Sequence, residues 1–211
     1  MYQPEHFKVG EADAVRAFIR AHPLGMLITG GGGGLSANPL PMLLDTTPDG
    51  DVLRTHMARA NEQWRDIGDG ASVMVLFQGA EHYISPGWYA TKIETGQVVP
   101  TWNYLVAEVH GVAKVMDDPA WIRRQVADLT ASQERARPVP WAPDDAPAKF
   151  IDAQLRAIVG ISIEVTAMAG KFKLSQNRPE RDRRSVIAHL QDGDHKAADM
   201  AALIRSQKSG D

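Results

Sequence analysis

The stretch from His82 to Tyr104, HYISPGWYATKIETGQVVPTWNY, limits the folds open to this chain more than any other segment. Three of the four tyrosines and two of the five tryptophans lie in it: Tyr83, Tyr89, Tyr104, Trp88 and Trp102. Pro86 and Pro100 interrupt its two halves, and a proline has no N–H to give to a sheet ladder, so neither half is a plain central strand. Between the aromatic residues sit His82, Ser85, Lys92, Thr101 and Asn103. Flat apolar surface beside hydroxyl, amide and ammonium donors suits a planar, hydrogen-bonding, phosphate-bearing ligand. The competing reading is an aromatic core face with the polar residues on the opposite side.

Two further segments share this character. In THMARANEQW, Thr55 to Trp64, the donors Thr55, His56, Arg59 and Asn61 stand where an apolar run gives way to a short helix-compatible stretch ending near Ile67. Free N–H groups at such a junction favour an anion. Asn61 also suits a simple helix cap. In GKFKLSQNRPERDRR, Gly170 to Arg184, the alternation of Lys171, Lys173, Ser175 and Asn177 with Phe172, Leu174 and Gln176 predicts a strand with one polar face. Lysines on a strand are often edge protection. Three uncharged hydrogen-bonding residues in a row, Ser175, Gln176 and Asn177, are poor guards of an edge and point instead to a ligand wall.

Along the chain the pattern predicts one domain, mainly β with helical additions. Residues 11–21 read as a helix with Ala14, Val15, Phe18 and Ile19 on one stripe. Strands are expected over 24–29, 35–45, 52–55, 72–77, 102–116, 158–165 and 171–175. Gly30 to Gly34 read as a hairpin loop, since no Gly-Lys-Ser/Thr follows as a phosphate loop requires. Helices are expected over 118–133, where Pro119 suits the first turn, and over 146–157. Arg137 to Pro147 is too proline-rich for either element. Many strands with turn signals between them fit a β-barrel better than a doubly wound sheet.

Composition excludes several functions. The formal charge of −3 and pI near 6.2 give no global attraction to nucleic acid or acidic membranes. Without cysteine there is no disulfide, thiolate metal site or cysteine nucleophile. No G-x-S-x-G, HExxH or metal-ligand spacing occurs, so no catalytic residue and no metal site is assigned. With no apolar signal core at the N-terminus and no membrane-length run, a cytoplasmic protein is expected. At the C-terminus, 178–190 and 196–204 predict two helices around QDGDH. Such a pair can read DNA, but two aspartates stand at the turn and the second helix is nearly neutral.

These blocks together resemble the PaiB-type FMN-binding negative transcriptional regulators. The resemblance runs through MYQPEHF, HMARAN, YISPGWYATK, VPTWNY and GKFKLSQNRPERDRR to about Leu190, in the family's order. One departure is visible: the family commonly has a His beside the Asn of its second strand, where this chain has Asn38-Pro39. The resemblance implies an FMN-binding split β-barrel of α+β class, with a barrel over about 20–177 and a helical appendage over about 178–207 within a single 1–211 domain. It implies a homodimer holding FMN in a shared cleft. Arg59, Asn61 and Lys92 are then expected on the phosphate side, and Thr101, Trp102 and Asn103 at the ribityl chain or ring. Lys173, Ser175, Gln176 and Asn177 become a wall of the same cleft. A regulator is the function implied, with DNA as a partner that the charge pattern supports weakly. The alternative is a flavin-dependent oxidoreductase, since the flavin itself would carry that chemistry. Haem ligated by His56 or His82 is the alternative cofactor.

Overall fold

The computed structural model describes residues 1–207; residues 208–211, which the expected 1–211 domain includes, lie outside the described residues. Contacts divide the chain into two compact units. One comprises 16–77 and 108–168, the other 1–15, 78–107 and 169–207. The seven strands follow the order β2-β1-β5-β6-β7-β4-β3.

In the first of these units, β1 (Leu24–Gly31) and β2 (Gly34–Pro41) form a hairpin in register from Leu24 opposite Pro41 to Gly31 opposite Gly34. Strand β1 also pairs with β5 (Ala71–Ile84), Met26 facing Leu76. Strand β3 (Leu43–Thr47) pairs with β4 (Gly50–Ala58), which pairs with β7 (Ile158–Lys173), all antiparallel. The period-2 alternation buries Leu27, Leu53, Val75, Phe77, Val159, Ile161 and Ile163 completely. Each such side chain contributes about 1.5–3 kcal/mol relative to exposure.

Helix α1 (Ala12–Ala21) begins in one unit and ends in the other, with Arg16 donating to the mostly buried Asp51 at 2.9–3.0 Å. Helix α3 (Pro119–Glu134) starts as expected, with Asp118 accepting from the Ala120 and Trp121 N–H groups and Pro119 at a position that needs no donor. It buries Ile122, Gln125 and Leu129. Helix α4 (Ala148–Arg156) buries Ile151.

The other unit contains the end of β5, the short helix α2 (Lys92–Thr95), the start of β6 (Thr101–Met116), the end of β7, and helices α5 (Glu180–Gln191) and α6 (His195–Ser206). Leu174, Val186, Leu190, Met200 and Ile204 form its apolar centre.

Several expected boundaries differ, among them the strand expected over 72–77, which runs on to Ile84 as β5. The predicted strand 35–45 is two strands broken at Met42, a buried residue whose N–H leaves the ladder for the Pro23 carbonyl at 2.8 Å. The predicted pair 158–165 and 171–175 is one continuous strand. Gly170 there is a point of close approach instead of a turn: a Cβ would meet Val15 and Val9 at 2.9–3.1 Å, and its carbonyl accepts from Val9 N–H.

Gly111 on β6 offers a direct test of this packing. An added Cβ would lie 2.5 Å from the Glu164 carbonyl oxygen, a backbone atom that cannot swing away. Gly111→Ala is expected to destabilise the protein by about 1–3 kcal/mol, the usual cost of overpacking, as a lowered urea midpoint with unchanged slope.

Candidate functional site

Five of the residues singled out in the sequence line one pocket inside the second unit: Thr101, Asn103, Lys173, Ser175 and Asn177. Alternation on β6 turns Asn103 fully inward, with Thr101 half-buried two residues earlier. Strand β7 ends at Lys173, and Ser175 then takes φ 63°, the one left-handed non-glycine among the described residues. That conformation costs a residue with a Cβ about 1–3 kcal/mol. A buried hydrogen-bonded pair holds it there: Asn103 Nδ2 donates to Ser175 Oγ at 2.9 Å, and Ser175 Oγ lies 3.3 Å from Asn103 Oδ1 in return. Beside them Lys173 Nζ donates to Thr101 Oγ1.

The sequence reading did not assign the remaining polar lining, Tyr89 and Arg178. Both stand in quoted motifs, WYATK and QNRPE, but neither type alone signals a ligand. Tyr89 is only 2% exposed, and its hydroxyl has no hydrogen-bond partner among the described residues. The Arg178 guanidinium lies over its ring at 4.6 Å, a cation–π contact. Phe7, Val99 and Pro100 supply apolar wall. Among the described residues no carboxylate lines this pocket. Burial pushes the Lys173 ammonium below its usual pKa, and Lys171 and Arg178 add to the effect. Burial also raises the Tyr89 hydroxyl, partly opposed by Arg178. An excess of positive charge, a buried hydroxyl and several neutral donors suit an anion.

Helix α5 anchors the pocket's flank. Asp182, 1% exposed, accepts from Thr91 N–H at 2.9 Å and Thr91 Oγ1 at 2.8 Å. Arg181 holds Glu94 through both nitrogens at 2.6 and 2.7 Å. Arg183 donates to the Ile204 and Gln207 carbonyls and Arg184 to Glu180. Of these arginines only Arg183 is buried; Arg181 and Arg184 make exposed ion pairs.

Three other expected residues of this unit stand outside the lining. Trp102 is 53% exposed, with an edge contact to Tyr83 at 5.8 Å. Lys92 is exposed at the first position of α2. Gln176 folds back locally, accepting from Leu174 N–H at 2.7 Å and donating to the Phe172 carbonyl.

In the first unit, Arg59 donates to Asp117, to the Arg156 carbonyl at 3.2 Å and to the Ile158 carbonyl at 3.0 Å. It borders a cleft of about 520 Å3 whose charges are largely matched in the pairs Arg59–Asp117 and Arg123–Asp152. Greater volume does not outweigh that neutralisation, and the smaller pocket has the stronger chemistry. Asn61 caps the 3-10 helix Glu62–Asp66 by accepting from Gln63 N–H at 3.1 Å. The buried Gln63 next to it, which the sequence reading passed over, donates to the Leu27 and Ser36 carbonyls and accepts from Asn38. Of the two flagged histidines, His56 Nδ1 meets Gln125 Oε1 at 2.7 Å and His82 Nδ1 meets the Tyr83 carbonyl at 2.6 Å. No cluster of metal-ligating side chains occurs among the described residues, and none of their helices is long and apolar enough to cross a membrane.

The donor set fits the phosphate-bearing end of a flavin mononucleotide: two cations, hydroxyls and a carboxamide, with apolar wall beside them. The family model described as "Putative FMN-binding domain" matches residues 1–167. Protease synthase and sporulation protein PAI 2 of Bacillus subtilis is 31% identical over 99% of this chain and 98% of its own length. An uncharacterized protein of Emericella nidulans is 30% identical over 92% of both chains. Among solved structures, the FAD and heme binding protein of Mycobacterium smegmatis superposes with a TM-score of 0.58 at 15% identity, over 79% of this chain and 73% of that one. The flavocytochrome Anf3 of Azotobacter vinelandii gives 0.55 at 16% identity, over 79% and 69%. At those identities the two structures speak to fold alone, an α+β fold of the flavin-binding split-barrel class. The model match and the full-length relative together make the chain a member of the FMN-binding family that its sequence motifs resemble.

Proposed function

We propose that the chain is an FMN-binding regulatory protein that works as a homodimer, with the pocket around Lys173 taking the flavin's phosphate end. The observation that carries this reading is the combination of Lys173 and Arg178 with the buried, unpartnered hydroxyl of Tyr89 in a pocket lined by no acid. Thr101 and Asn177 supply further donors. Asn103 and Ser175 keep the turn in place more than they reach for ligand, because each already satisfies the other. Arg59 and Asn61 would serve the same flavin only by giving up the partners they now hold.

The pocket's size supports the dimeric part. Its volume of about 210 Å3 falls below the roughly 300–1,000 Å3 of pockets that enclose a ligand of drug size. One chain's pocket suffices for a phosphate and part of a ribityl chain, and a second copy would supply the remaining wall. Bound FMN supplies the electron-transfer chemistry of its ring, while the protein contributes binding, orientation and electrostatics. The regulatory role rests on the family and on the similarity to the B. subtilis protein.

Titration with FMN and with riboflavin separates phosphate recognition from ring recognition. Lys173→Ala is expected to weaken FMN at least tenfold and leave riboflavin affinity unchanged, consistent with loss of a charge-assisted contact of about 1.5–3 kcal/mol. Equal loss for both ligands, or none, would place the phosphate elsewhere.

The pH dependence has a worked sign. Between pH 5 and 7 the phosphate loses its second proton, with a pKa of about 6, and affinity should rise. At alkaline pH Lys173 loses its proton earlier than a free lysine, near 10.4, would, because burial lowers its pKa. Affinity should therefore fall on an alkaline limb, and Lys173→Ala should lack that limb in the same titration.

A further inference from the structure

We infer that the cleft between α3 and α4 is a second ligand site, suited to a small organic monocarboxylate with an apolar body. It lies within the first unit and is independent of where FMN binds. Both helices turn residues of the same spacing toward it: Pro119, Ile122 and Arg123 from α3, and Asp152, Leu155 and Arg156 from α4. Residues at i, i+3 and i+4 share one helix face, so each helix lays a single stripe along the cleft. Pro119, the buried Ile122 and the half-buried Leu155 supply apolar wall, with the charged residues around it. At about 520 Å3 the cleft falls within the roughly 300–1,000 Å3 of pockets that enclose a ligand of drug size.

Charge decides the class of ligand. Three arginines and two aspartates line the cleft, which leaves one positive charge in excess. Arg59 pairs with Asp117 and also donates to the Arg156 and Ile158 carbonyls at 3.2 and 3.0 Å. Arg123 donates to Asp152 at 2.5 Å. Of the three, only Arg156 has a guanidinium with no hydrogen-bond or ion-pair partner among the described residues. A carboxylate can accept two parallel bonds from such a group. A dianion would bring a second charge against Asp117 and Asp152 with no further cation to meet it. A cation would find both aspartates already paired.

Those pairs also brace the cleft open. Arg123 and Asp152 join α3 to α4, and Arg59 fastens the end of α4 through the Arg156 carbonyl. Walls fixed in advance spare a ligand much of the ordering cost of binding. The exposed Arg156 side chain takes no part in that frame, so it can be replaced without undoing it.

Calorimetric titration of the full chain with naphthoate, naphthalenemethanol and naphthyl phosphate tests the assignment. The flat body is common to all three and only the charge differs, at about pH 8, where a phosphate monoester carries two charges. We expect naphthoate to bind saturably, with one molecule per chain, and roughly tenfold tighter than either of the others. Arg156→Glu should weaken naphthoate at least tenfold and leave the alcohol unchanged. Lys173→Ala, which alters the other pocket, should leave all three affinities as they were. No saturable binding of naphthoate, equal affinity for acid and alcohol, or tighter binding of the phosphate would overturn the site. Loss of naphthoate in Lys173→Ala, or its displacement by FMN, would place it in the flavin's site and overturn the inference equally. If Arg156→Glu does not fold, the three ligands on the unaltered chain and on Lys173→Ala still decide.

Discussion

The buried hydrogen-bonded pair of Asn103 and Ser175 is the constraint on which the candidate site depends. It fixes a left-handed serine at the point where β7 stops. Without that reversal the strand would continue past Lys173, and Arg178 would not return over Tyr89. The pair's hydrogen bonds offset the backbone cost of the turn, and both groups are too deep for water to replace the lost partner. The conformational strain here lies beside a ligand pocket, where such strain tends to be kept. Downstream of the turn, Asp182 and Arg181 fasten α5 to the Thr91–Glu94 segment, so the aromatic stretch and the lysine-bearing strand are held as one wall.

The first unit shows a comparable dependence on a single amide. Gln63, 4% exposed, reaches the carbonyls of both hairpin strands while its oxygen accepts from Asn38. Because neighbours in a strand point to opposite faces, Asn38 turns toward Gln63 and Pro39 away from it. The proline therefore lies apart from the inner network.

Much of this was legible in the sequence because strong local signals and tertiary packing agree. Pro119 announced the first turn of α3, which begins there. The KLSQN block and VPTWNY pointed to the pocket by their donors, and three residues of the one and four of the other line it. Tyr89 and Arg178 were not legible as lining, since an aromatic beside another aromatic and an arginine before proline have many uses. Their role comes from a non-local stacking contact that no spacing encodes. Arg59 illustrates the converse. Its position in HMARAN suggests phosphate, and only the fold reveals that Asp117, far along the chain, already occupies its guanidinium. The break expected between 165 and 171 fails for the same reason: the strand runs on through Gly170, which Val9 and Val15 crowd.

The position of the turn along the chain has a further consequence. Phe7, Tyr89, Thr101 and Asn103 lie within the stretch 1–167 that the family model matches, whereas Lys173, Ser175, Asn177 and Arg178 follow it. The pocket's neutral wall and its positive charge thus come from different stretches of sequence. The B. subtilis relative aligns with both, over 99% of this chain. A comparison of ligand preference between relatives therefore has to extend through the α5 anchor, because the scaffold alone leaves out every cation of the pocket.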